Sequence, residues 1–104
     1  MKTPKQYKYD LAALREALNT AAQAGQKKAV AEQAAHLEGQ LALDLRSLQA
    51  QYRARAVSHI STAAKQAGKD KAAADRRLAD EETERLEPYR KLLEAVRSLL
   101  KEVA

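Results

Sequence analysis

Val30, Ala34, Leu37, Leu41, Leu45, Leu48, Tyr52, Ala56, Ile60, Ala63 and Ala67 follow one another at steps of three or four residues. The mean step, about 3.7 residues, is the period of one stripe on an α-helix and excludes strand alternation over the whole stretch. It lies closer to an eleven-residue repeat than to a heptad, so the helix is expected to run straight or to wind slightly right-handed. A helix over 27–66 would be roughly 60 Å long at 1.5 Å per residue. Gly39 interrupts it at a position pointing away from the seam, where glycine costs about 1 kcal/mol relative to alanine. Because the seam keeps its phase through Gly39, one continuous helix is expected.

The flanking segments are also helical in pattern. Thr3-Pro4-Lys5-Gln6 is a capping box with proline at the first helical position, where no amide donor is needed. Tyr7, Leu11, Leu14, Leu18 and Ala21 then form one stripe, and Ala24-Gly25 offers a left-handed stop, so a first helix is expected over 4–23. Gly68 ends the second helix, and Asp70 is a candidate cap for a third over 70–103. Its first part is mostly charged. After Glu87-Pro88 the pattern turns amphipathic, with Leu86, Tyr89, Leu93, Val96, Leu100 and Val103 on one stripe, widened by Leu92 and Leu99. Pro88 removes one backbone donor and is expected to kink this helix without breaking its stripe.

Three glycines, two prolines and no phenylalanine or tryptophan in 104 residues agree with this reading. The chain is long enough for one domain with a modest core. Folding at Gly25 and at Gly68 brings Leu11 and Val96 to the level of about residue 40. All three helices meet there, whereas only two are present over about 52–84. The expected fold is all-α: a three-helix antiparallel bundle extended into a projecting two-helix coiled-coil hairpin.

Charge is unevenly placed. Arg53, Arg55, Lys65, Lys69, Lys71, Arg76 and Arg77, set against Asp70 and Asp75, carry the whole net charge of +5 within one window around Gly68. Arg53 and Arg55 fall opposite Asp80, Glu81, Glu82 and Glu84 and are expected to pair across the hairpin. Lys65, Lys69, Lys71, Arg76 and Arg77 have fewer acids nearby and form a candidate polyanion-binding tip. The tip has no aromatic side chain for base stacking and no glycine-rich phosphate loop, so a solvated turn is its plainer explanation.

A second apolar stripe on the long helix, Leu43, Ala50, Ala54, Val57, Ser61 and Ala64, is read as lying beside the seam. Within the bundle the first helix is expected to cover it. Along the arm, Ala54, Val57, Ser61 and Ala64 form a candidate association stripe for a second copy or another helical protein. Tyr7, Tyr52 and Tyr89 continue apolar stripes and are expected in the core, their hydroxyls able to reach solvent at the bundle edge. Tyr9 lies off its stripe.

Catalysis finds little support. His36 and His59 stand about 35 Å apart along one helix at 1.5 Å per residue. Glu32 and His36 lack the repeated partner motif of a di-metal bundle, and Ser58-His59 are adjacent on a helix, wrong for a nucleophile and its base. With no cysteine there is neither a disulfide nor a thiolate metal site. No cofactor or small-molecule substrate is expected. No apolar run approaches membrane-spanning length and charges follow the first residues closely, so a cytoplasmic protein with no membrane contact is expected. The expected function is that of a structural or adaptor protein acting through helix-to-helix association, with self-association as a dimer. The alternative is nucleic-acid binding through the basic tip around Gly68.

Overall fold

The computed structural model describes residues 1–63 and 69–103, with side chains described outside 58–71. These residues form α1 (Pro4–Thr20), α2 (Ala24–Ala63) and α3 (Lys69–Val103). The molecule is an elongated all-α bundle of 64 × 19 × 16 Å. Its long dimension matches the roughly 60 Å expected of a helix as long as α2 at 1.5 Å per residue.

The capping box opens α1 as its sequence dictates. Thr3 Oγ1 accepts from the Gln6 amide at 3.2 Å, and Gln6 Oε1 accepts from the Thr3 amide at 2.9 Å. The end of α1 differs from expectation. The Thr20 hydroxyl bonds back to the carbonyls of Glu16 and Ala17, and Ala21 is extended, with φ −71° and ψ 112°. Gln26 Oε1 then accepts from the amides of Ala22 at 2.8 Å and Gln23 at 3.1 Å. Those two bonds satisfy donors that a helix start would otherwise leave unpaired. The chain therefore turns at Ala21–Gln23, and Gly25 lies inside α2 rather than stopping α1.

Gly39 and Pro88 both lie within unbroken helices. A Cβ at Gly39 would meet no other atom within 4 Å, so packing does not require the glycine. The turn expected at Gly68 lies outside the described residues. On either side of it, Arg55 of α2 pairs with Glu81 of α3, and Glu38 with Arg97. Each pair is nearly equidistant from Gly68 along the chain, so α2 and α3 run antiparallel in the expected register.

The core is built from the three stripes. Tyr7, Leu11 and Leu14 of α1 meet Val30, Ala34, Leu37, Leu41 and Leu48 of α2 and Leu86, Tyr89, Leu92, Leu93, Val96 and Leu99 of α3. Tyr52 is buried just beyond this cluster. Past it, among the described residues 53–57 and 72–85, none is fully buried; Ala56, Ala74, Leu78 and Glu82 are half-buried. The reason is geometric: two helices have only one mutual line of contact, whereas three enclose a volume.

Candidate interaction surface on the second helix

One turn of helix carries about 3.6 residues, so successive side chains are separated by about 100°. On that scale Leu43, Ala50, Ala54 and Val57 fall within about 60° of arc, across the helix from Leu41, Leu48 and Tyr52. The stripe therefore lies opposite the seam and not beside it. The structure agrees: Leu43 and Val57 are each 64% exposed, while Leu41 is 1% exposed. Ala50 and Ala54 are exposed between them. The first helix does not cover this stripe, because α1 packs on the seam side of α2 through Tyr7, Leu11 and Leu14.

Of the expected association residues, Ala54 and Val57 are thus placed on one exposed face. Ser61 belongs to α2, with its side chain outside the described residues, and Ala64 lies outside them altogether. Among the basic residues, Arg76 and Arg77 are exposed on α3. Lys69 and Lys71 belong to the start of α3 with side chains outside the described residues, and Lys65 lies outside them. Arg76 and Arg77 are thus exposed at successive positions of α3, about 100° apart, and the other basic side chains of the tip lie outside the described residues.

Arg55 is neutralised across the arm. Its two terminal nitrogens lie 3.1 and 3.2 Å from the two oxygens of Glu81, and its guanidinium stands 5.2 Å from the centre of the Tyr52 ring. The bidentate pair raises the pKa of Arg55 and lowers that of Glu81, in each case mainly through the hydrogen bonds between them. Both groups are exposed, so the pair fixes register more than it adds stability. Arg46 and Arg53 are different. Both are exposed on one flank of the outer stripe, about 50–70° from its centre line at 100° per residue.

At the other end of the molecule a polar cluster joins all three helices. Lys2 Nζ lies 3.0 Å from Asp10 Oδ2 and 3.3 Å from Gln40 Oε1, and 5.5 Å from the centre of the Tyr7 ring. The Tyr89 hydroxyl donates to the Lys2 carbonyl at 2.8 Å, and the Tyr7 hydroxyl donates to Asp44 Oδ2. The Tyr7 and Tyr89 rings meet edge to face, with centroids 6.1 Å apart. Tyr7, Tyr52 and Tyr89 are buried, as their stripe positions lead one to expect, and the hydroxyls of Tyr7 and Tyr89 have internal partners. Tyr9 is 77% exposed.

Beside this cluster, a cleft of about 310 Å³ between α1 and α2 is lined by Lys2, Asp10, Ala13, Gln33, His36 and Gln40, among others. Its charged groups are already satisfied by one another, with His36 bonded through Gln40 at 3.2 Å. No group of three metal-ligating side chains occurs among the described residues, and no helix there is long and apolar enough to cross a membrane. The signal that could have located the cluster is the four-residue spacing of His36, Gln40 and Asp44 along one flank of the seam. No family model, curated protein or solved structure matches the chain.

Proposed function

We propose that this chain is a non-enzymatic structural or adaptor protein that works by helix-to-helix association, using the outer face of α2. One observation carries the reading: Leu43 and Val57, two large apolar side chains, stand exposed on one line of the helix with Ala50 and Ala54 between them. Single exposed apolar residues are ordinary on a protein surface, whereas an aligned set is a mark of an interaction site. The alanines allow a second helix to approach closely, and the larger residues at either end supply apolar area.

A photo-crosslinking residue placed at Ala50 tests this in the protein's native cells. The expected result is a discrete adduct that disappears when Leu43→Glu and Val57→Glu are combined. No adduct, or one indifferent to those substitutions, overturns the reading. Both side chains are exposed, so the double variant keeps its fold, and circular dichroism verifies that.

A second reading rests on Arg76 and Arg77, exposed on α3 within the basic window. It makes the protein a nucleic-acid binder. It differs in its response to salt, since phosphate contacts weaken steeply as salt rises and apolar contacts do not.

A further inference from the structure

We propose that the outer face of α2 receives an acidic amphipathic helix of another protein and not a second copy of this chain. The proposal rests on the association reading above and adds the chemistry of the partner.

Charge complementarity is the first ground. Residues 45–69 contain no aspartate or glutamate, while Arg46 and Arg53 flank the exposed apolar line. Neither arginine has an ion pair among the described residues. The acids that precede them along α2 are committed elsewhere, Asp44 to the Tyr7 hydroxyl and Glu38 to Arg97, and across the arm Glu81 is held by Arg55. The face is thus an apolar strip with two cationic side chains along one edge that no described acid neutralises.

Symmetry gives the second ground. In an antiparallel two-fold pair centred on Ala50, Leu43 would meet Val57 of the other copy, which suits the apolar residues. The same operation places like flank against like flank, so Arg46 and Arg53 of one copy would face Arg53 and Arg46 of the other. A parallel pair avoids that contact. It instead sets two arms side by side, each with Lys69, Lys71, Arg76 and Arg77 at the same end, and supplies no acid to either arginine flank. A register that brought Glu32 of a second copy opposite Arg46 would slide Leu43 away from Val57. Like charges set against one another suppress the wrong partner, and an acidic flank relieves both arginines together.

Size agrees with a single docked helix. Leu43 to Val57 spans about 21 Å at 1.5 Å per residue, or roughly two heptads. A stable two-protein interface typically buries about 800 Å² on each partner, more than so narrow a strip offers to a flat surface. A lone amphipathic helix with apolar residues at spacings of three, four and seven fits a strip of this length. Its glutamates or aspartates would run along the edge facing Arg46 and Arg53.

Two synthetic helical peptides of equal length and identical apolar pattern test the proposal, one with glutamate and the other with lysine along the flank. Each is titrated into the full chain and followed by fluorescence anisotropy. The glutamate peptide is expected to bind at least about tenfold more tightly, equivalent to about 1.4 kcal/mol. In the Arg46→Glu, Arg53→Glu variant the preference is expected to reverse. Equal affinity for both peptides, or a preference unchanged by the charge swap, overturns the proposal. A wild-type chain that sediments as a concentration-dependent dimer, lost on Leu43→Glu and Val57→Glu, refutes the foreign partner but leaves the association reading standing. A monomer that binds neither peptide removes both.

Discussion

Replacing Leu41 with alanine is expected to cost about 2–5 kcal/mol of unfolding free energy. Leu41 is 1% exposed and belongs to the cluster in which α1, α2 and α3 meet. Removing its branched end takes away buried apolar contacts and leaves a void that three long helices close only partly. A domain of this size has about 5–15 kcal/mol in total, so the substitution removes a large share. The neighbouring change Leu43→Ala is expected to alter stability by no more than about 0.5 kcal/mol. Urea titrations of the two variants check the contrast. Equal losses would mean that α2 is rotated from the orientation described.

Tyr7→Phe is expected to destabilise the chain by about 1–3 kcal/mol, because the half-buried Asp44 carboxylate loses its hydroxyl donor while the ring's apolar packing is retained. The same bond governs behaviour at alkaline pH. Burial, then the hydrogen bond to Asp44 and the charge of that carboxylate, push the Tyr7 hydroxyl well above the ordinary tyrosine range. Burial and the Asp44 charge also raise Tyr89, partly offset by Arg85. A group whose folded pKa is raised keeps its proton in the folded chain after the unfolded chain has released it. The stabilisation is therefore complete below the ordinary tyrosine pKa of about 10 and declines as pH rises above it. Tyr7→Phe should flatten that decline while leaving the part due to Tyr89. Denaturation curves at neutral and alkaline pH measure both effects, and an unchanged alkaline slope would contradict the role assigned to the Tyr7–Asp44 bond.

Much of the architecture was legible because it follows from periodicity. Among the described residues, the α2 seam from Val30 to Ala56 and the stripes of α1 and α3 are buried or half-buried where their spacing placed them, and the antiparallel register follows from chain distances to Gly68. The first turn differs because Gly25 is a conspicuous breaker, while α2 starts from Gln23, which lacks the short side chain of a preferred N-cap, with Gln26 three residues on accepting from the Ala22 and Gln23 amides. The spacing of His36, Gln40 and Asp44 marks only the α2 side of the polar cluster. Lys2, Asp10, Gln40 and Tyr89 come from three separate segments, and nothing local marks the lysine carbonyl as the acceptor for a tyrosine near the other end of the chain.

Sequence spacing marks the outer stripe but not its side of the helix. Its residues share the seam's spacings, and spacing alone hides phase; counting about 100° from Leu41 to each residue in turn recovers the opposite face. A stripe beside the seam would have been shared with α1, whereas one opposite it is exposed at each described position, Leu43, Ala50, Ala54 and Val57.

The outward phase of that stripe is the central structural claim, and a chain without native cysteine permits a direct measurement of it. Single-cysteine variants Leu43→Cys and Leu41→Cys can be compared for their rate of reaction with a soluble thiol reagent under native conditions. The thiol at position 43 should react at nearly the rate it shows in denaturant, and the thiol at position 41 should be strongly protected until the chain unfolds. Comparable protection at both positions, or faster reaction at position 41, would show that α2 does not present Leu43, Ala50, Ala54 and Val57 to an incoming partner.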